Sequence, residues 1–537
     1  LKISSYIIQS LRSSGIGVVF GLPGVHVLAM WEAIEKSQIP YVGLRHEGAA
    51  AHAADGYGRA TGKPGVVVLS TGPGALNALS PLAEARISCS PVLAIVSAIP
   101  TGYRGKQKGF LHETESLDGA FKAAAGAFIR ADDPKAFPEK LAEALTTTIT
   151  DRPHPVVLEV PMDTFEIEID AEPVAAPQPT RKAPDDAHIE EAAKLLGLAA
   201  RPVILAGGGV LRAQASQALA KVAENIDAPV FTTFMGKGAI PEDHPLAIGS
   251  LVRQPESQDL LRDSDLLLAV GTRFSAMSTG TWKLELPSQI IHIDVDPNEI
   301  GRNYPVRLGI EADAGLALEQ LAEATAGSPS SKNGSNRAKA IRNALDDKAQ
   351  QEGPREMEFL SEIRAAVPPE VHFTHDMTVP SYWSWPFLRT TVPGTFHSPY
   401  GFGSLGFSFP AALGVAAAFP GKPVVAFTGD GGFQYHLREL GTAAQYNLDV
   451  KTIVFNDSSW GVLRSFSRAR YDSEFGLDLQ GPDFVKLSEA YGVRAHRTDD
   501  PEQLGKILRN EIEEPGPAVI EVPGAWRLPP PSEYYRR

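Results

Sequence analysis

Gly429-Asp430-Gly431-Gly432 closes one apolar run and Asn456-Asp457 closes the next, in PVVAFTGDGGFQYHLRELGTAAQYNLDVKTIVFND over 423–457. Asp-Gly and Asn-Asp are ordinary turn formers, and punctuation alone accounts for them. The chemical reading is sharper. In an open parallel sheet, ligands gather beyond the carboxyl ends of the strands, so two neighbouring strands would aim both carboxylates at one place. The interval holds one helix and a return, little more than the shortest parallel crossover. Two hard oxygen ligands plus phosphate oxygens suit Mg²⁺ or Ca²⁺, and Gly431-Gly432 at a helix start leave backbone N–H groups bare for a phosphate. No Gly-Lys-Ser/Thr is present, so the pattern is not a P-loop.

Three other places could do chemistry. Glu47 opens an Ala-rich helical stretch in RHEGAAAHAADGYGRATGKPGVVVLSTGPGALNAL (45–79), where an acid is also well placed simply as a complement to the helix N-terminus. His112 in GFLHETES and His26 in GLPGVHVLAM could transfer protons, although an imidazole without a visible partner also serves as a structural group. Arg464, Arg468 and Arg470 could meet a substrate carboxylate, or form a solvated helix face.

These residues need strands to aim them and helices to bring the chain back. VVVLS (66–70) and VLAIVS (92–97) alternate with amphipathic stretches, the grammar of parallel strands and crossover helices. PVILAGGG, PVFTTF, SDLLLAVG and IIHIDVD repeat that grammar, and the block around 423–457 repeats it again. EPVAAPQPTRKAPDD and AGSPSSKNGSNRAK (326–339) have the composition of linkers. The expected fold is α/β, with three doubly wound parallel-sheet domains at 1–165, 185–325 and 355–530. Length agrees, since 537 residues suit about three domains of roughly 150 residues each.

A net charge of −14 argues against nucleic acid or an acidic membrane surface as partner. The single cysteine, Cys89, cannot form an intrachain disulfide, and no stretch has the roughly 18 uninterrupted apolar residues of a membrane span. No basic, signal-like segment precedes Ile7, so a cytoplasmic location is expected.

The run from Gly429-Asp430-Gly431 to Asn456-Asp457, followed by SSWG, resembles the diphosphate and metal motif of thiamine diphosphate enzymes, in the acetolactate synthase and benzoylformate decarboxylase branch. The resemblance extends over nearly the whole chain. It implies a pyrimidine-binding, a central and a diphosphate-binding domain, and it assigns Asp430, Asp457 and the main-chain carbonyl of Ser459 to the cation. The family usually has Asn where this chain has Asp457; a second carboxylate should strengthen cation binding and repel diphosphate when the metal is absent. Gly429, Gly431, Gly432, Trp460, Gly461, Thr378 and Asn77 are implied on the cofactor. Leu405, in SPYGFGSLGFSFPAALG (398–414), is implied as the apolar wedge beneath it, with the Gly403 carbonyl accepting from its amine. Glu47 matches the invariant glutamate that works on the pyrimidine ring, a role for which a largely buried carboxyl is expected.

The same resemblance implies at least a homodimer, because the family's glutamate and diphosphate site come from different subunits; a homotetramer is the other expectation. It further implies non-oxidative decarboxylation of a 2-oxo acid through a cofactor-bound enamine, with carboligase capacity toward an aldehyde or ketone acceptor. The alternative is an acetolactate synthase-like enzyme joining two 2-oxo acids. Val25 follows Gly24 where several decarboxylases carry a polar residue, and His26 comes next. Ser70 stands where benzoylformate decarboxylase has a histidine. His112 falls where acetolactate synthases have glutamine and pyruvate decarboxylases have histidine. FMGKGAIPEDHPLAIG (234–249) and IHIDVDPNEIGRN (291–303) are similar to the segments with which acetolactate synthases hold FAD, but SLVRQP (250–255) and GTRFSAMSTG (271–280) lack much of that pattern, so FAD is disfavoured. An idle binding or regulatory subunit is the reading from another class, and intact Glu47, Leu405 and Asp430 oppose it.

Overall fold

A computed structural model describes residues 1–150, 152–176, 180–327 and 333–529. It contains three six-stranded, wholly parallel sheets. The first is built from β1 (Val19–Gly21), β2 (Tyr41–Gly43), β3 (Gly65–Leu69), β4 (Val92–Ala98), β5 (Ala127–Arg130) and β6 (Val156–Pro161). The second comprises β7 (Pro202–Ala206), β8 (Val230–Thr232), β9 (Ala247–Gly249), β10 (Leu266–Val270), β11 (Ile290–Asp294) and β12 (Leu308–Glu311). The third comprises β13 (His372–His375), β14 (Phe396–His397), β15 (Val424–Gly429), β16 (Val450–Asn456), β17 (Arg494–Arg497) and β18 (Ala518–Pro523). Runs such as Gly65–Leu69 and Leu266–Val270 are buried along their full length, as parallel strands covered by helices on both faces must be.

Strand order carries the functional information. The outer two sheets share one topology, β2-β1-β3-β4-β6-β5 and β14-β13-β15-β16-β18-β17, whereas the central order is β12-β11-β10-β7-β8-β9. The progression of strand order therefore reverses between β1 and β3, between β13 and β15, and between β7 and β10. Those reversals open crevices at the carboxyl edges, the places where such sheets bind ligands.

The outer domains are joined by the helices Glu47–Thr61 and Ser408–Ala418, which cross backbone to backbone. Small residues make that approach possible. A Cβ at Gly56 would lie 2.2 Å from the Ala411 carbonyl oxygen, and one at Gly414 would lie 1.8 Å from that of Ala53. Backbone cannot yield as a side-chain tip can, so Gly56→Ala is expected to cost about 2–3 kcal/mol of stability, read as a lower unfolding midpoint.

Two linker expectations change. Residues 328–332 of the second lie outside the described residues, but from Gly334 the chain is a helix reaching Glu352, with Ala338, Leu345 and Ala349 in a core. Its Ser/Asn-rich opening is the polar side of an amphipathic element. Residues 177–179 of the first linker are likewise outside the description. Just before them, Val174 and Ala176 lie against the first domain, their N–H groups donating to Ser10 and Ser14.

Candidate active site

Beyond the carboxyl ends of β13, β15 and β16, at the reversal in the third sheet, lies a cavity of about 210 Å³. β15 ends at Gly429, and Asp430 begins the helix Asp430–His436. Asp457 follows β16 directly. Both carboxylates reach the cavity, with Thr378, Gly403, Leu405, Gly429, Gly431, Gly432, Ser459, Trp460 and Gly461 along its wall. The third-domain residues named from the sequence therefore line one cavity.

The two acids are poorly satisfied as they stand. Asp430 is 3% exposed, and its Oδ2 has no hydrogen-bond partner among the described residues. Burial, and then the charge of Asp457, push its carboxyl up to about 7. Burial also raises Asp457, whose Oδ1 accepts from the Ser459 hydroxyl at 2.9 Å. A divalent cation relieves both penalties, so this donor set fits the metal. No cluster of three or more His, Cys, Asp or Glu converges among the described residues, so such a cation needs main-chain and ligand oxygens as well.

Two of the glycines are required by the close approach of their protein neighbours. A Cβ at Gly431 would lie 2.6 Å from the Trp460 ring, and one at Gly429 would lie 2.8 Å from the Thr378 hydroxyl. Gly403 adopts φ +84°, which an L side chain resists. Ser458, at φ +53°, turns the chain so that Ser459 faces the cavity.

The first-domain candidates gather at the corresponding reversal of their own sheet. Glu47 starts its helix after His46, whose Nδ1 caps the Gly48 N–H. Its Oε2 accepts from Asn77 Nδ2 at 3.0 Å, and a Cβ at Gly74 would lie 3.1 Å from its Oε1. Asn77 therefore serves as the partner that orients Glu47. Glu47 is half-buried in the single chain, short of the burial its role implies, because its helix N-terminus lies at the protein surface.

His26 and His112 stack on one another, rings 4.9 Å apart. His26 Nε2 donates to the Leu111 carbonyl at 3.2 Å, which leaves Nδ1 as acceptor toward Ser70 Oγ at 3.5 Å. Burial first, then His112, lowers the affinity of His26 for a proton. His112 is held at φ +65°, and its Nδ1 is buried without a hydrogen-bond partner among the described residues.

Arg468 and Arg470 are exposed, whereas Arg464 is partly buried. Arg464 pairs with Asp478 and Glu474, Arg468 pairs with Glu474, and the helix Gly461–Tyr471 buries no residue fully.

Sequence reading missed two buried acids. Asp376 follows β13, is raised to about 7 by burial, and accepts from the Gly406 N–H at 2.9 Å. Glu84, on the helix Leu79–Ile87, accepts from the backbone of residues 402–404. Strand-end position could have flagged the first; nothing local flags the second.

A cavity of about 520 Å³ at the reversal of the central sheet is reached by Gly208, Gly209, Arg212 and Arg273 and is also lined by Cys89 and Arg152 of the first domain and Tyr400 of the third. The residues at 250–255 and 271–280 still lack much of the FAD-binding pattern.

Three family models cover most of the chain: the thiamine pyrophosphate enzyme N-terminal binding domain at 1–120, the central domain at 189–321 and the C-terminal binding domain at 376–522. A probable acetolactate synthase large subunit of Methanocaldococcus jannaschii is 35% identical, over 97% of this chain and 92% of its own. A probable 2-ketoarginine decarboxylase of Pseudomonas aeruginosa is 33% identical, over 96% and 93%. An acetolactate synthase large subunit of Corynebacterium glutamicum is 33% identical, over 96% and 85%. The chain belongs to the thiamine diphosphate (thiamine pyrophosphate) enzyme family, in its acetolactate synthase-like branch. It is a thiamine diphosphate-dependent enzyme of three α/β domains, and no helix among its described residues is long and apolar enough to cross a membrane.

Proposed function

We propose that this enzyme carries out Mg²⁺-dependent, non-oxidative decarboxylation of a 2-oxo acid, with the capacity to join the product to an aldehyde or ketone. The observation that carries the reading is the pair of half-sites at equivalent crevices of two sheets with one topology: Glu47 with a histidine pair at one, and two carboxylates above a glycine-rich helix start at the other. Thiamine diphosphate, when bound, supplies a carbon that adds to the 2-oxo group and accepts the electrons left as CO₂ departs.

The chain's residues do the rest. Asp430, Asp457 and the Ser459 carbonyl would hold Mg²⁺, or Ca²⁺ in its place. Gly431 and Gly432 would present N–H groups to the diphosphate, Leu405 and Gly403 would support the middle of the cofactor, and Glu47 would hold and move the proton of its pyrimidine ring. The 210 Å³ cavity is lined only by residues of the third domain and is smaller than usual for a small-molecule site. That supports a homodimer, or a homotetramer of such pairs, in which one chain's Glu47 faces the partner's carboxylates.

His112 and His26 favour release of an aldehyde, since that outcome needs a proton placed on the carbon that lost CO₂, whereas joining to a second carbonyl places it on the acceptor's oxygen. The 2-ketoarginine decarboxylase name of one relative agrees with this reading, and the acetolactate synthase names of others favour carboligation. Incubation with thiamine diphosphate, Mg²⁺ and a panel of 2-oxo acids, following CO₂ and identifying products, decides between them. Aldehyde is expected; acetolactate from pyruvate as the main product would establish the second reading, and no turnover on any acid would refute both. His112→Ala is expected to lower aldehyde formation by about 10²-fold while exchange of the cofactor's reactive proton stays near wild type. Equal aldehyde formation would return His112 to a structural part.

A further inference from the structure

The loop between β14 and the helix Ser408–Ala418 carries Gly403 and Leu405 into the cofactor cavity, yet it has no strand neighbours to occupy its N–H groups. Three consecutive N–H groups instead meet one oxygen from another domain. Phe402, Gly403 and Ser404 donate to Glu84 Oε2 at 3.3, 2.9 and 3.2 Å, the Gly403 N–H being shared with the Pro399 carbonyl at 2.8 Å. Gly403, in the left-handed region, lets successive N–H groups converge into a nest that takes an anion. The anion here is internal.

Glu84 is wholly buried, and its second oxygen is also occupied. Oε1 accepts from Ser88 Oγ at 2.8 Å and from Arg59 Nη2 at 3.4 Å. Arg59 forks onto Asp55 at 2.8 and 2.7 Å, donates to the Ser398 carbonyl at the start of the loop, and lies over the Phe407 ring just beyond its end. Asp376 takes the Gly406 N–H on the far side. Leu405 is thus suspended between two buried carboxylates, one from each outer domain.

We infer that Glu84 is a positioning residue for the cofactor: as an internal anion in the 402–404 nest, it fixes the Gly403 carbonyl and the Leu405 side chain against thiamine diphosphate. This rests on the reading above that those two residues meet the cofactor. Contact between the outer domains does not by itself require such an arrangement. Tyr446, whose hydroxyl accepts from the Gly43 N–H at 2.9 Å, joins the same two domains without touching the loop.

The test compares Glu84→Gln, Glu84→Asp and Tyr446→Phe with wild type. Amide hydrogen exchange of the unloaded protein is expected to quicken over 402–406 by about tenfold in Glu84→Gln, less in Glu84→Asp, and not at all in Tyr446→Phe. At saturating thiamine diphosphate and Mg²⁺, Glu84→Gln is expected to slow exchange of the cofactor's reactive proton by about tenfold, with partial rescue in Glu84→Asp. Loop exchange equal to wild type, or quickened evenly along the whole chain, would overturn the inference, as would unchanged cofactor proton exchange. Should Glu84→Gln not fold, Glu84→Asp carries the same outcomes. A wild-type protein that takes up no thiamine diphosphate would refute the proposed function instead, while loop exchange, read on unloaded protein, still decides the part played by Glu84.

Discussion

Glu47→Gln is expected to leave thiamine diphosphate bound while slowing exchange of its reactive proton by about 10²- to 10⁴-fold. The amide is nearly isosteric and can still accept from Asn77, which donates to Glu47 at 3.0 Å, so the local fold has no reason to change. What disappears is the capacity to carry a proton. Deuterium exchange at the reactive carbon, followed by NMR on protein saturated with cofactor, reads the step without involving any 2-oxo acid. Exchange as fast as in the wild type would remove Glu47 from proton transfer.

Asp430→Ala is expected to weaken Mg²⁺-dependent uptake of thiamine diphosphate by more than about 100-fold, since a ligand is lost outright where even supporting residues of metal sites cost 10- to 100-fold. The same change should stabilise the unloaded protein. Asp430 is a buried carboxyl with one oxygen unpartnered and another carboxylate beside it, which is a cost in the absence of a cation. Removing it should return about 1–3 kcal/mol. Calorimetric titration and thermal unfolding together check the pair of opposite signs. Loss of binding with an equal loss of stability would mean that Asp430 holds up the helix start and not a metal.

The parts of this molecule that were legible in its sequence are those where local pattern and chemistry coincide. Asp430 and Asp457 stood out because each ends an apolar run, and parallel strands place such residues at one edge. Strand order was not legible: three blocks written in the same grammar fold with two different topologies, and only pairing between distant strands separates them. Residues 334–339 read as linker because their Ser, Asn and Lys side chains are the exposed side of a helix, Gly334–Glu352, whose buried side is thinly spread. Glu84 was silent for another reason. It accepts from backbone N–H groups of residues far along the chain, and a backbone group leaves no mark on sequence.

Chains carrying Glu47→Gln and chains carrying Asp430→Ala, each inactive alone, offer the most direct trial when co-produced and assayed together for cofactor proton exchange. If Glu47 and the two-carboxylate cage close on one thiamine diphosphate from different subunits, random pairing leaves about one quarter of the sites intact, and that fraction of wild-type exchange should return. No recovery in a preparation proven to contain mixed dimers would contradict the shared site.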